Sequence, residues 1–153
     1  MKTTALIADD EQPSRERLKL ALSGFDEIEV VAEAATGVQA LELIRNLRPG
    51  LIFLDIQMPL MSGFEVLSLL KTHPAVIFIT AFDEYALRAF ELHALDYLLK
   101  PYSRERLYDA VRHAVERMSA TGRQSAAPGL DGLLADYRRN EPFVRRLSIK
   151  QGR

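Results

Sequence analysis

The segment Leu51–Asp55 is the feature that most restricts how this chain can fold. Four consecutive apolar residues lead without a polar interruption into the carboxylate of Asp55. A run of this kind predicts a strand buried on both faces, as in a parallel sheet covered by helices. Ligands bind at the carboxyl ends of such strands, which is where Asp55 stands. The segment therefore predicts an α/β fold and makes Asp55 a candidate for chemistry, with a turn-capping role as the simpler alternative.

Strand and helix patterns alternate five times around this segment. The helix patterns at Thr36, Ser62 and Ser103 each begin with a capping residue. The predicted strands are 5–8, 28–34, 51–55, 76–79 and 96–99, and the predicted helices are about 13–23, 37–48, 63–71, 84–93 and 104–118. This alternation indicates a doubly wound sheet of five parallel strands with helices on both faces, which is a three-layer α/β/α architecture.

Composition separates the body of the chain from its C-terminal part. The chain has 153 residues, of which 48% are hydrophobic, enough for one well-buried domain and a tail. Residues 1–120 carry 13 Lys and Arg against 18 Asp and Glu, whereas residues 121–153 carry 7 against 3. Residues 119–142 predict a linker that is part helical near 130–139. Residues 143–153 alternate like a strand, and we interpret them as the truncated start of a further domain.

Composition also excludes several classes of protein. There is no cysteine, so neither a disulfide framework nor a thiolate metal site can form. The sequence contains no secretory pattern and no apolar run long enough to span a bilayer, which predicts a cytoplasmic protein without a membrane partner. His73, His93 and His113 lie on different predicted elements without ligand spacing, which favours surface or helix-end positions for them.

Five polar side chains stand at the ends of four predicted strands, and they are Asp9, Asp10, Asp55, Thr80 and Lys100. If these strands are neighbours about 4.8 Å apart, the five side chains meet at one edge of the sheet. Crowded carboxylates require a cation or bound protons, and an all-oxygen cluster suits Mg²⁺. Taken singly, each residue has a simple structural explanation. Asp9 and Asp10 could cap a helix, Thr80 could form a turn, and Lys100 could be a surface lysine. Their joint occurrence favours a functional site.

These residue types fit phosphoryl transfer. A carboxylate beside a bound metal ion can attack phosphorus while a hydroxyl and an ammonium balance the charge on the transferring oxygens. We therefore predict Asp55 as the nucleophile, Asp10 as a metal ligand, Thr80 as a hydrogen-bond donor and Lys100 as a fixed positive charge.

Residues 3–118 resemble the receiver domain of bacterial two-component response regulators. The resemblance rests on the site residues together with Met58, Pro59, Gly63, Ala81 and Pro101. It implies a flavodoxin-like fold with strand order 2-1-3-4-5. It also implies a signalling switch rather than an enzyme, phosphorylated on Asp55 by a sensor histidine kinase.

The resemblance further assigns roles around Asp55. It implies that Mg²⁺ is bound by Asp10, Asp55 and the main-chain oxygen of Gln57, with Asp9 acting through water. Thr80 and Tyr97 correspond to the switch residues of the family. The family also implies a cis peptide bond between Lys100 and Pro101, for which proline lowers the energetic cost.

A narrower resemblance concerns the output. The segments 80–90 and 94–101 resemble regulators with a LytTR-type DNA-binding domain, and residues 143–153 resemble the first strand of that domain. On this basis we expect a transcription regulator that binds DNA through an output domain missing from this chain. The predicted helix 84–93 has a broad apolar surface. We expect this face, together with the predicted strand 96–99 and the last helix, to form a homodimer on phosphorylation. The alternative is that the helix is deeply buried in the core, which would also explain its many apolar residues.

A Mg²⁺-dependent phosphohydrolase of the haloacid dehalogenase type is the main alternative function, since that family also uses Asp, Ser or Thr, and Lys at strand ends. It resembles this chain less, because it expects a second Asp two positions after the nucleophile. Asp9 is followed by Asp10 and Glu11, and Asp55 by Ile56 and Gln57. A flavin or nucleotide binder would need a glycine-rich phosphate loop, which the sequence lacks.

Two further positions bear on how long a phosphoryl group would last. In receiver domains these positions lie two residues after the phosphorylated Asp and two after the Thr, here Gln57 and Phe82. Gln57 can orient water but cannot act as a general base, whereas a bulky apolar side chain excludes water. We expect Phe82 to dominate and the phosphate to be long-lived, unless its ring turns away against the following helix.

Overall fold

The computed structural model describes residues 2–72 and 74–124, the last five of them by backbone only. These residues form one sheet of five parallel strands in the order β2-β1-β3-β4-β5. The strands are β1 (Thr3–Ala8), β2 (Ile28–Ala34), β3 (Leu51–Leu54), β4 (Ala75–Thr80) and β5 (Asp96–Leu99). The predicted flavodoxin-like fold and its strand order are therefore confirmed.

Helices connect the strands and cover both faces of the sheet. They are α1 (Gln12–Leu22), α2 (Gly37–Leu47), α3 (Gly63–Ser68), a 3₁₀ turn (Asp83–Tyr85), α4 (Ala86–Glu91) and α5 (Arg104–Gln124). The predicted caps are formed, because Thr36 and Ser103 accept hydrogen bonds from the first turns of α2 and α5. Ser62 and Glu65 form the reciprocal capping box of α3.

The end of α3 differs from the prediction. This helix stops at Ser68 instead of near Lys71. The Ser68 hydroxyl donates to the main-chain oxygen of Glu65 at 2.7 Å. The following N–H groups of Leu69 and Leu70 bond carbonyls three residues back, which tightens the last turn into 3₁₀ geometry.

The predicted helix 84–93 is shorter and less regular than its pattern suggests. It opens as the 3₁₀ turn and is α-helical only over α4. Phe82 occupies the N-cap position of the 3₁₀ turn without a side-chain cap hydrogen bond, and Tyr85 occupies that of α4. His93 has a φ of 66°, and a left-handed residue just past Leu92 ends the helix.

The end of α5 also differs from the prediction. The helix continues to Gln124, so residues 119–124 of the predicted linker are helical. A single Gly122 costs a helix only about 1 kcal/mol, which explains why it does not end there. The rest of the predicted linker, the predicted output-domain start at 143–153 and His73 lie outside the described residues. Within the described part of the chain, the structure has no helix both long and apolar enough to cross a membrane.

The core lies in two layers on either side of the sheet. One face packs against α2, α3 and α4 and includes Leu54, Phe78 and Tyr97. The other face packs against α1 and α5 and includes Phe53 and Ile77. β3 is buried along its whole length, as its uninterrupted apolar sequence predicts.

Strand register brings the predicted site residues to one edge of the sheet. Ala8 of β1 pairs with Leu54 of β3, so the residues that follow both strands are neighbours. Gly63, the first residue of α3, allows the helix to approach this edge. A Cβ at Gly63 would lie 2.4 Å from the main-chain oxygen of Asp55, and real Cβ atoms do not come so close. Glycine is therefore needed where α3 passes the site.

Candidate functional site

Three carboxylates meet at the carboxyl edge of the sheet. Asp9, Asp10 and Asp55 each present an oxygen within 4.8 Å of the other two. Asp9 and Asp55 are buried, with 5% and 6% of their surface exposed, and Asp10 is exposed. Carboxylate oxygens at this spacing are the ligands that a hard divalent cation such as Mg²⁺ prefers. The donor set therefore fits the predicted metal.

Lys100 lies between the two buried carboxylates. Its Nζ is 2.8 Å from Oδ2 of Asp9 and 3.2 Å from Oδ2 of Asp55. Burial acts to lower the pKa of Lys100, but the hydrogen bond to Asp9 and the charges of both carboxylates outweigh it and raise the pKa. The peptide bond from Lys100 to Pro101 is cis, which confirms the prediction. Lys100 is thus a fixed positive charge facing Asp55.

Asp55 is held in an unfavourable environment for a carboxylate. Burial raises its pKa to about 6, with the attraction of Lys100 opposing the rise and the charge of Asp9 adding to it. Its Oδ1 accepts a hydrogen bond from the main-chain N–H of Gln57 at 3.2 Å. One ammonium does not neutralise the carboxylates of this pocket, so bound cations are favoured there.

Asp9 is oriented by α1 through residues that the sequence analysis missed. Ser14 donates from Oγ to Oδ2 of Asp9 at 2.7 Å, and the N–H of Glu11 donates to Oδ1 at 3.0 Å. Arg15 donates to the main-chain oxygen of Asp9 at 2.7 Å. No motif points to these contacts, because a Ser or Arg in the first turn of a helix is ordinary. Together they fix Asp9 beside Lys100.

Thr80 and Tyr97 are joined through the main chain of Phe82. Thr80 is fully buried, and its Oγ1 accepts a hydrogen bond from the Phe82 N–H at 3.4 Å. The Tyr97 hydroxyl donates to the main-chain oxygen of Phe82. Burial raises the pKa of Tyr97, which keeps this hydroxyl protonated as a donor. The two predicted switch residues therefore form hydrogen bonds to the main chain of the same residue.

Gln57 and Phe82 both contact Tyr85, a residue that the sequence analysis did not single out for the site. Nε2 of Gln57 donates to the Tyr85 hydroxyl at 3.1 Å. The ring of Phe82 is 39% exposed and lies edge-on to Tyr85, with centroids 6.1 Å apart. Because Tyr85 is 28 residues from Gln57 along the chain, no local spacing signals this contact.

An acidic pocket at the carboxyl edge of a doubly wound parallel sheet is the arrangement expected of a receiver domain. Residues 5–112 match the response regulator receiver domain, and the chain belongs to this family.

Known proteins similar to this chain support the same class. It is 52% identical over 104 residues to the transcriptional regulatory protein BtsR of Salmonella typhi, covering 67% of this chain and 44% of that protein. An uncharacterized response regulatory protein of Vibrio cholerae is 47% identical over 116 residues, covering 74% of this chain and 49% of that protein. The REC domain of AraT, a response regulator from Geobacillus stearothermophilus, has a TM-score of 0.73 at 36% identity, covering 80% of this chain and 99% of that domain.

The family membership settles the broad function. Receiver domains of response regulators act as signalling switches, bind Mg²⁺ at an acidic pocket and interact with histidine kinases. The chain is homologous to transcriptional regulatory proteins, and the dehalogenase-type alternative is not favoured. The chain spans about half the length of the relatives that it matches.

Proposed function

We propose that this chain is a phosphorylation-activated receiver in which Asp55 accepts a phosphoryl group from the phosphohistidine of a sensor histidine kinase. The observation that carries the proposal is the position of Asp55, buried within 3.2 Å of the Lys100 ammonium and in the same cluster as Asp9 and Asp10. With a pKa of about 6, Asp55 is mostly ionised at neutral pH and ready to attack.

Each side chain has a defined task in the transfer. A carboxylate oxygen of Asp55 forms a bond to phosphorus while the bond from phosphorus to the donor imidazole breaks, and the imidazole takes up a proton from water. Lys100 and the hydroxyl of Thr80 stabilise the charge on the transferred oxygens. Asp10, Asp55 and the main-chain oxygen of Gln57 would hold Mg²⁺, with Asp9 acting through water, and the ion supplies further positive charge.

The proposed switch follows from the hydrogen bonds that Thr80 and Tyr97 both make to the main chain of Phe82. Once Thr80 turns its hydroxyl toward a phosphoryl oxygen, its contact with the Phe82 N–H changes. Because the Tyr97 hydroxyl is bound to the carbonyl of the same residue, the position of Tyr97 is biased as well. This gives the phosphorylation site a physical connection to β5 and to the surface beside α4.

A phosphorylation-dependent homodimer is the output that we propose for the surface of α4, β5 and α5. Core packing accounts for part of the apolar face of α4, since Ala86 and Ala89 are buried, whereas Leu87 is 36% exposed. Phe82, which precedes the 3₁₀ turn, is also exposed, at 39%. Sedimentation with Mg²⁺ and beryllofluoride, which mimics a phosphoryl group, should shift to the dimer. Leu87→Ser should weaken that shift, and unchanged sedimentation of the original chain would contradict the dimer.

We propose that the receiver controls a LytTR-type DNA-binding domain. The amino-acid sequences of segments 80–90 and 94–101 support a LytTR-type output domain. The relatives include transcriptional regulators about twice as long as the matched region. The gene sequence beyond Arg153 tests this directly. A LytTR-type domain that binds a promoter more tightly after phosphorylation is the expected result, and an unrelated output domain would contradict it.

Intact mass tests the phosphorylation itself. Acetyl phosphate with Mg²⁺ should add about 80 Da, the mass of one phosphoryl group, and EDTA or Asp55→Asn should prevent the addition. An adduct that survives Asp55→Asn would contradict the assignment. A dehalogenase-type enzyme would instead hydrolyse many equivalents of a small phosphomonoester.

A further inference from the structure

A side-chain hydrogen bond joins the loop after β3 to the turn after β4. Gln57 lies two residues past Asp55, and Tyr85 closes the 3₁₀ turn that follows Thr80 and Phe82. Nε2 of Gln57 donates to the Tyr85 hydroxyl at 3.1 Å. The bond therefore connects the loop that carries the proposed phosphoacceptor to the segment that carries the proposed switch residue.

Tyr85 is a rigid anchor for this bond. Its ring lies edge-on to Phe64 and Phe82, with centroids 5.7 Å and 6.1 Å away. Phe64 is buried, and the guanidinium of Arg88 lies 5.0 Å from the centre of its ring. Edge-on aromatic contacts fix ring orientation as well as position. The Tyr85 hydroxyl is thus held where Gln57 meets it.

Gln57 is fixed at its other end by the site. Its main-chain N–H donates to Oδ1 of Asp55 at 3.2 Å. Gln57 and Tyr85 also line, together with Asp10, a pocket of about 560 Å³ beside the carboxylates. The hydrogen bond therefore lies in the wall of a pocket that reaches Asp10 of the carboxylate cluster.

We propose that Tyr85 is a positioning residue that holds Gln57 beside Asp55, in the wall of this pocket, and so prolongs the life of the aspartyl phosphate. The inference rests on the proposed function. Phosphate is lost when water oxygen attacks phosphorus, the bond to the Asp55 oxygen breaks with its electrons returning to the carboxylate, and the water proton leaves with inorganic phosphate. A bond that keeps the two segments together limits the approach of that water.

The expected effect is modest because a single partly exposed hydrogen bond shifts an open–closed equilibrium by about tenfold at most. Tyr85→Phe keeps the ring and its contacts but removes the acceptor. We expect the phosphate of this variant to decay about threefold to tenfold faster. Gln57→Ala keeps the main-chain oxygen proposed for Mg²⁺ and should accelerate decay by a similar factor.

The double variant gives the decisive measurement. If the two side chains act through one bond, Tyr85→Phe combined with Gln57→Ala should decay no faster than the faster single variant. The decay is followed by the loss of about 80 Da from intact protein in the absence of kinase. Tyr108→Phe, an exposed tyrosine on α5, is the matched control and should decay like the original chain.

The outcomes separate this inference from the proposed function. Equal or slower decay in Tyr85→Phe, or accelerations that multiply in the double variant, would overturn the role of Tyr85 while leaving Asp55 as the phosphoacceptor. If the original chain takes up no phosphoryl group, both fall. A merely structural role would lower the thermal midpoint of Tyr85→Phe, and we expect that midpoint to stay unchanged while the side-chain amide NMR signal of Gln57 shifts.

Discussion

The site is built from two halves that are held together by different forces. The charged half consists of Asp9, Asp55 and Lys100, at the ends of β1, β3 and β5. The aromatic half consists of Phe64, Phe82, Tyr85 and Tyr97, packed around the 3₁₀ turn and α4. The charged half is largely buried and joined by ion pairs. In the aromatic half, Phe64 and Tyr97 are buried, whereas Phe82 is exposed and Tyr85 is half-buried in the short 3₁₀ turn.

The difference shows how a small domain can keep its reacting groups apart from the segment that is proposed to change conformation. Buried charges attract one another strongly and keep the reacting groups in one place. Ring contacts around a short helical turn are weaker than contacts between buried charges, so this segment can move as a unit at a lower cost in free energy. Changes to the charged half should therefore alter stability and phosphorylation. Changes to the exposed and half-buried rings of the aromatic half, Phe82 and Tyr85, should mainly alter how long the phosphate persists.

The largest expected effect comes from removing the cation of the charged half. Lys100→Met leaves two buried carboxylates without their partner, so the free energy of unfolding in EDTA should fall by about 3 kcal/mol. Saturating Mg²⁺ should restore part of this loss, because a bound cation replaces the missing charge. Urea unfolding measures both values.

Lys19→Met is the matched control, since Lys19 pairs with Glu33 on the surface, where solvent screens the pair and its removal should cost much less. A loss for Lys100→Met no larger than for Lys19→Met would contradict the view that the charged half depends on this ammonium.

The pH dependence of stability gives a second test of the charged half, through the titration of Asp55. The folded pKa of Asp55, about 6, lies above its usual value, so the folded state holds the proton more tightly. The stabilisation is fully present below the unfolded pKa and is lost as pH rises through about 6, by roughly 2–3 kcal/mol in metal-free protein. Asp55→Asn lacks this titration, so its stability relative to the original chain should rise between about pH 4 and pH 7. A constant difference across that range would show that Asp55 titrates normally.

Phe64 tests the packing of the aromatic half. Phe64→Leu removes edge-on contacts to Phe78 and Tyr85, and it should lower the free energy of unfolding by about 1–2 kcal/mol. This loss should not depend on Mg²⁺, in contrast to the loss for Lys100→Met. Urea unfolding with and without Mg²⁺ makes the comparison, and a metal-dependent loss would mean that the two halves are not separate.

The smallest expected effect concerns Phe82. Because Phe82 is partly exposed and its ring lies against Tyr85, it should shield the site less than its position in the sequence predicts. Phe82→Glu replaces this ring with a carboxylate that can hold water, so the phosphate should decay about threefold faster. Phe82→Leu keeps an apolar side chain and serves as the control. Decay is measured by intact mass without kinase, and equal rates in Phe82→Glu and the original chain would mean that Phe82 does not shield the site.

The sequence by itself determined the sheet and the charged half. An uninterrupted apolar run in β3 has no stable position except between two helical layers, and capping residues such as Thr36 and Ser62 fix helix starts through local hydrogen bonds. Parallel strands bring their carboxyl ends to one edge, so Asp9, Asp55 and Lys100 had to meet once the strand order was known.

Only the tertiary structure decided the aromatic half and the helix ends. The apolar pattern of 84–93 predicts one continuous helix, but rings packed around Tyr85 accompany a 3₁₀ turn in which Phe82 takes the cap position. The contact of Gln57 with Tyr85 joins residues far apart in sequence, as does the meeting of Tyr97 with Phe82. Such contacts depend on how side chains pack in three dimensions, and local periodicity does not record which of several rings will meet.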